Sequence, residues 1–414
     1  MSEAKVSGGC PVLEGFDPLA TEQVGEPFGW LVRARREVPV FYMPKYDLWC
    51  ITRMEDVLTV FKDTTTYSNS HDDVGRPPAE FADAIPQGHP VSHSLDSLDP
   101  PAHTRIRKLA QKAFTPRKLA AYEPVIRSIC DDLINGLADR GAADLVGEFT
   151  TFIPVRVIAT MLGMDLAHAP LIKQWTDDWF AIWLGDDTED VLRERWQRTV
   201  DFDRFLSDFV EDRRATPRGD LTSDLVHATS DTGEPSLTTH EVICVMAGIV
   251  AAGSDTTSLL LAYTMWLLLS QPNRWESVVR DRAQVPLVIE ETLRLRNPVR
   301  GLRRVTTRPV RLGGADIPAG AALYVHVGSA NRDETVFPDA ETFDPGRVNL
   351  SEHVGFGKWT HFCLGAPLAR LEARIALECL IDRLPTLRLG AGEEQLEYVP
   401  NAVVPGVRHL NVTW

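Results

Sequence analysis

The chain has 414 residues, 44% of them hydrophobic, with a formal net charge of −15, a globular composition whose length fits one large domain or two or three average ones. The acidic balance argues against general nucleic-acid binding. Six scattered cysteines (Cys10, Cys50, Cys130, Cys244, Cys363, Cys379) contain no CxxC pair and no zinc spacing, which argues against a disulfide framework and suits a reducing cytoplasm.

The first thirty residues show no basic segment followed by an apolar one, so no signal peptide or membrane anchor is expected. "VPVFYMP" and "DLWCITR" then read as short strands, aromatic and β-branched with a turn between them. "MEDVLTVFKD" reads as a short helix. Residues 70–100, dense in Pro, Gly, His and Asp, read as a long loop of the kind that often forms a lid.

From about 101 to 300 the pattern is mostly helical. "LAAYEPVIRSICDDLINGLADRG" stops at a glycine. "LIKQWTDDWFAIWLG" sets Trp175, Trp179 and Trp183 four apart on one stripe, the usual pattern of core packing. A very long helix is expected from about Thr239 to Ser270, with Thr238 and Glu241 spaced for a capping box and Gln271-Pro272 ending it. It would span about 48 Å, and its apolar run "LLLAYTMWLLL" falls short of the roughly 20 residues that cross a bilayer. After 300 come short β runs, "RRVTTRPVRL", "ALYVHVG" and "HLNVTW", around a turn-rich stretch. The expectation is a mainly α fold with a small β part and no boundary dividing it.

Four constellations carry candidate chemistry. In "FGKWTHFCLG", Cys363 stands at the mouth of a helix, where unpaired N–H groups and the helix dipole favour thiolate. Gly365 lets backbone approach the sulfur. A free cysteine is most often a buried structural thiol. A lone thiolate suits one axial bond to haem iron, and it also suits a nucleophile. In "AAGSDTT", Gly253, Asp255 and Thr256 are awkward residues for the middle of an apolar helix. They suggest a small-residue notch over a ligand; a Thr256 hydroxyl bonded back to Ala252 is the plainer alternative. In "EETLRLRNP", Glu291 and Arg294 are spaced to pair, a weak signal alone. "DPPAHTRIRKLAQKAFTPRKL" holds no acid from 103 to 122, a local reversal of charge that is either a solvated face or a site for anionic groups.

Together these resemble the cytochrome P450 family of haem-thiolate monooxygenases, in particular soluble bacterial members. Phe356, His361, Cys363 and Gly365 match the family's FxxGxHxCxG loop. Ala252 to Thr256 matches its oxygen-binding [A/G]GxDT motif, and Glu291 with Arg294 its ExxR, with Arg347 of "FDPGR" as third member of that ion network. His103, Arg107, Arg304 and His361 match its haem-propionate ligands. One position departs: Trp359 stands where the family usually has glycine, and must either fit the turn differently or lean over the proximal surface.

The resemblance implies the P450 fold, a triangular prism with haem b between the long helix and the cysteine loop, over one domain, 1–414. It implies Cys363 as iron ligand and Asp255 and Thr256 as proton relay. A small apolar or aromatic substrate and O2 would react by hydroxylation or O-dealkylation, in a pocket lined from Gly248, Ala251, Ala252, Val299 and Leu302. Electrons from NAD(P)H would arrive through an acidic ferredoxin, a flavodoxin, or a flavin and iron–sulfur reductase of a fused protein. Arg105, Lys108, Lys112 and Lys358 would form the docking surface. Nucleic acid and membrane are not expected partners. The acid–alcohol pair argues against a peroxide-driven peroxygenase, and the relay and docking surface against a gas sensor or carrier.

Overall fold

The structure is a computed structural model. It describes residues 6–7, 10–70, 77–81, 83–84, 94–184, 187–229, 236–393 and 395–414, with backbone alone at 6–7 and 183–184. Most of the expected loop over 70–100, namely 71–76, 82 and 85–93, and the Trp183 side chain therefore lie outside the described residues.

The helices that position the site include α1 (Ala102–Ala110), α2 (Pro116–Asn135), α3 (Phe152–Leu162), α4 (Ala169–Leu184), α5 (Glu189–Ala215), α6 (Thr239–Leu269), α7 (Val285–Leu295) and α8 (Ala366–Arg383). At the start of α6, Thr238 Oγ1 accepts from Glu241 N–H (3.1 Å) and Glu241 Oε2 accepts from Thr238 N–H (2.9 Å), so both halves of the capping box are made. Helix α6 runs through the main core, with Val242, Met246, Val250, Leu260, Leu261, Met265 and Leu268 packed among residues of α2, α3 and α8. It is long and apolar enough to cross a membrane, contrary to the expectation from its 259–269 run. Its most apolar stretch is nonetheless 67% buried inside the fold.

The aromatic stripe of α4 is part of that core. Trp175 is buried and stacks on Phe202 at 4.3 Å, while Trp179 packs at the core's edge.

Among the described residues the β part is a five-stranded sheet, a three-stranded sheet and two-stranded pairs; the five-stranded sheet is the one beside the site. Its strands are β1 (Val40–Met43), β2 (Leu48–Ile51), β3 (Tyr67–Ser68), β4 (Leu302–Thr306) and β5 (Ala322–Val325), in the order β1-β2-β5-β4-β3. Only β2 and β5 pair in parallel. Leu323 of β5 stands opposite Arg304 of β4. Strand periodicity therefore puts Arg304 on the face that carries the sheet's own core of Trp49, Val57, Phe61 and Leu323.

Candidate functional site

The cysteine loop is closed by backbone. Cys363 N–H donates to Phe356 O (2.8 Å) and Phe362 N–H to Trp359 O (3.1 Å). Gly357 has φ +68°, which glycine adopts without strain. Trp359 has φ +55°: the tryptophan keeps a left-handed turn rather than fitting it differently, and the residue is 49% exposed. Phe356 lies under the Arg370 guanidinium at 4.6 Å. Helix α8 begins just after Gly365.

Cys363 is an exposed cysteine. Protein around the sulfur raises its thiol pKa by desolvation; the Gly365 and Ala366 N–H groups and the Arg107 and Arg370 charges pull the other way without winning. The helix terminus thus helps a thiolate, as its position predicts, but does not produce one unaided. That balance fits a metal ligand, whose cation supplies the missing stabilisation, better than a free nucleophile.

Around this loop lies a rim of basic groups, reached through a chain of contacts. Arg107 Nη2 donates to Phe362 O at 2.6 Å. His103, one turn earlier on α1, meets the His361 ring at 4.2 Å between centroids. His103 is 1% exposed, yet neither of its ring nitrogens has a hydrogen-bond partner among the described residues. Desolvation and Arg107 push its pKa down to about 4, so it is neutral at pH 7. Arg304 is 5% exposed and lies over Phe61 at 5.5 Å. Its guanidinium donates to the Arg303 carbonyl (2.6 Å), and among the described residues it has no ion pair. Burial lowers its pKa to about 10, opposed by the charges of Asp96 and Asp99.

The middle of α6 is opened on one side. Ala252 is exposed, while Gly248, Ile249, Asp255 and Thr256 are half-buried on a helix otherwise largely buried. Positions 248, 252, 255 and 256 share one face. Ala251 is buried at its margin. The expected notch at Gly253 is a different thing: a Cβ there would come within 2.5 Å of Ile158 Cδ1, so α3 already fills it. A Cβ on Gly248 would stand 3.4 Å from Ser94 Cβ. Thr256 Oγ1 donates to Ala252 O at 2.6 Å. Asp255 Oδ1 lies 3.5 Å from Lys173 Nζ of α4, and Lys173 also pairs with Asp177. Burial raises the Asp255 carboxyl to about 6, partly offset by Lys173. Val299 packs with Leu259, Tyr263 and Val404, whereas Leu302 packs on the sheet's core, so the two strand candidates serve different clusters.

Behind the loop, Glu291 and Arg294 are fully buried and bidentate, at 2.7 Å for both bonds. Arg347 Nε reaches Glu291 Oε1 at 3.2 Å. Sequence reasoning passed over a second network beside it. Glu290 takes Arg370 of α8 by two bonds (2.6 and 2.8 Å) and His353 Nε2 (3.0 Å). Its only signal was a second glutamate preceding Glu291. Lys173 was missed too, although a carboxylate inside an apolar helix calls for a cation nearby. Arg105, expected to dock a partner, is tied to Glu241 and donates to Ser236 O (2.9 Å). Lys108 and Lys112 are exposed and Lys358 half-buried.

A family model for cytochrome P450 matches residues 28–387. Erythromycin C-12 hydroxylase of Saccharopolyspora erythraea is 34% identical over 386 residues, covering 92% of this chain and 93% of that one. Among solved structures, cytochrome P450 CREJ in complex with (4-ethylphenyl) dihydrogen phosphate superposes with TM-score 0.89 at 31% identity, covering 97% and 99% of the two chains. Full-length CYP116B46 from Tepidiphilus thermophilus gives TM-score 0.88 at 30% identity, over 97% of this chain and 54% of that one.

Proposed function

The chain belongs to the cytochrome P450 family, a family of monooxygenases, and on that premise we propose that Cys363 would supply the thiolate ligand of a haem b whose two carboxylates would be held by His103, Arg107, Arg304 and His361. One observation carries this reading. Among the described residues, His103 is buried against His361 of the loop with both ring nitrogens unbonded, and Arg304 is buried with no ion pair. Such groups cost free energy unless something anionic completes them. Two carboxylates on an apolar disc fit that need, and the donor set fits haem.

When bound, haem supplies reductive activation of dioxygen and delivery of one oxygen atom to an organic substrate. The protein's part is ligation, a dry pocket and protons. Gly365 and Ala366 N–H groups with Arg107 and Arg370 hold the negative sulfur. Thr256 has its single hydroxyl proton committed to Ala252 O, so its oxygen presents lone pairs to the open face. Asp255 is the proton store: with a carboxyl near 6 it gains and loses a proton close to neutrality, and Lys173 lies beside it at 3.5 Å. Thr256 then orders the acceptor and Asp255 replenishes the proton.

The substrate proposed is a small apolar or aromatic molecule, hydroxylated or O-dealkylated over Gly248 and Ala252. The aromatic ligand named with the CREJ structure supports that size and character for this chain. Electrons are proposed to come from NAD(P)H through an acidic ferredoxin, a flavodoxin, or a flavin and iron–sulfur reductase, docking over Lys108, Lys112 and Lys358, in a cytoplasmic setting. The 1–414 chain is proposed to act as one haem domain.

Replacing Cys363 by His tests the centre of this reading. The reduced carbonyl complex should lose the long-wavelength Soret band of thiolate ligation while haem stays bound. Persistence of that band would remove Cys363 as ligand.

A further inference from the structure

Three arginines crowd one aromatic ring among residues that neither haem nor substrate has claimed. Arg296 and Arg300 lie on the segment between α7 and β4, and Arg332 follows β5. Their guanidinium carbons stand 5.4, 5.0 and 3.4 Å from the centre of the Phe28 ring. All three are buried, at 8%, 3% and 3% exposed. Arg332 donates twice to Leu295 O (3.1 and 2.7 Å) and pairs with Glu341. Arg296 pairs with Glu26 at 2.5 Å. Arg300 has no ion pair among the described residues. Its Nη2 donates to Gly25 O at 3.3 Å, whereas its Nε and Nη1, and Nε of Arg296, have no hydrogen-bond partner there. We propose that this cluster binds a small tetrahedral oxyanion, of the size and charge of phosphate or sulfate, which displaces the Glu26 carboxylate from Arg296 and takes up the unspent N–H groups of Arg300.

The local groups do not answer the charge themselves. The Phe28 ring offers its face to a cation but no lone pair to an N–H. Tyr263 and Tyr398, beside Arg300, bring phenol oxygens rather than a carboxylate. Arg332 is held well below the usual guanidinium range by burial first, and then by the like charges of Arg296 and Arg300. Glu26 serves Arg296 alone, and its side chain is 58% exposed, so this pair is readily exchanged at the surface. Donors spread over two planar guanidiniums suit an ion with several acceptor oxygens better than one carboxylate tethered to the chain.

The test is equilibrium dialysis of the haem-loaded protein against radiolabelled inorganic phosphate, at pH 7 and an ionic strength fixed with sodium chloride. Wild type should take up a single phosphate saturably, and sulfate should displace it. Arg300→Met should weaken uptake about tenfold or more, the effect of losing a charged hydrogen bond. Arg304→Met, at the rim proposed for haem, should leave it unchanged. Glu26→Gln should tighten it several-fold, because the competing carboxylate is gone. Wild type without saturable uptake overturns the proposal. So does uptake that survives Arg300→Met, or that falls in Arg304→Met alone, which would place the anion at the haem rim. Should Arg300→Met fail to fold, Glu26→Gln decides, since its side chain is mostly outside: an affinity no higher than wild type overturns the proposal.

Discussion

Two buried charged clusters flank the cysteine loop, and they are built on opposite principles. In the Glu291–Arg294–Arg347 cluster the protein answers its own charges. Arg294 donates to both Glu291 oxygens and to the carbonyls of Asn331, Ala340 and Thr342 at 2.7–3.1 Å. Arg347 adds Glu291 and the carbonyls of Asp339 and Thr342. In the His103–Arg107–Arg304 rim, among the described residues, neither His103 ring nitrogen is bonded and Arg304 has no ion pair. A saturated buried charge is architecture; an unsaturated one marks where something else is to bind.

The largest effect should come from breaking the saturated side. Glu291→Ala strands two buried guanidiniums, and the cost should be about 3–5 kcal/mol. Urea unfolding of the cofactor-free protein measures it directly, and a loss below 1 kcal/mol would mean the cluster is as loose as the rim. The opposite signature is expected at the rim. His103→Phe and Arg304→Met should each weaken haem binding, by about 1.5–3 kcal/mol where a charged hydrogen bond is lost. They should leave the cofactor-free protein as stable as before or more so. Haem titration beside urea unfolding separates the two, and a variant that lowers both equally would count its residue as structural.

Asp255 falls between the clusters, paired at 3.5 Å but 21% exposed. Its folded pKa, about 6, lies above its ordinary value of 3.8, so the fold favours the protonated form. Its contribution is fully present below about pH 4 and lost as pH rises through 6. Asp255→Asn should abolish that decline and be the more stable protein at pH 7, by on the order of 2 kcal/mol. Unfolding midpoints from pH 4 to 7 check the sign. A wild-type stability that rises over this window relative to the variant would reverse the assignment.

These contrasts set how far the sequence could be read. Helical spacing, the capping box and the two aromatic strands were legible because each is local. Cys363, Asp255 and Thr256 stood out in the sequence because each is a residue out of keeping with its neighbourhood. Lys173 and the Glu290–His353–Arg370 group did not, since their meaning lies in partners some 60 to 80 residues away. Gly253 misled for the same reason: a missing side chain announces close approach but not by what, and here the visitor is Ile158. Trp359 left two options open that only backbone geometry separates.

The carboxylate of Glu241 holds two structures at once. It accepts the Thr238 N–H that seals the start of α6, and it grips Arg105, which sits on the same helix as His103 and Arg107. The first turn of the core's longest rod and the cationic rim are thereby moored to one anchor point. Slackening that mooring, by removing the carboxylate or flooding it with salt, should be felt two residues to either side of Arg105, at His103 and Arg107.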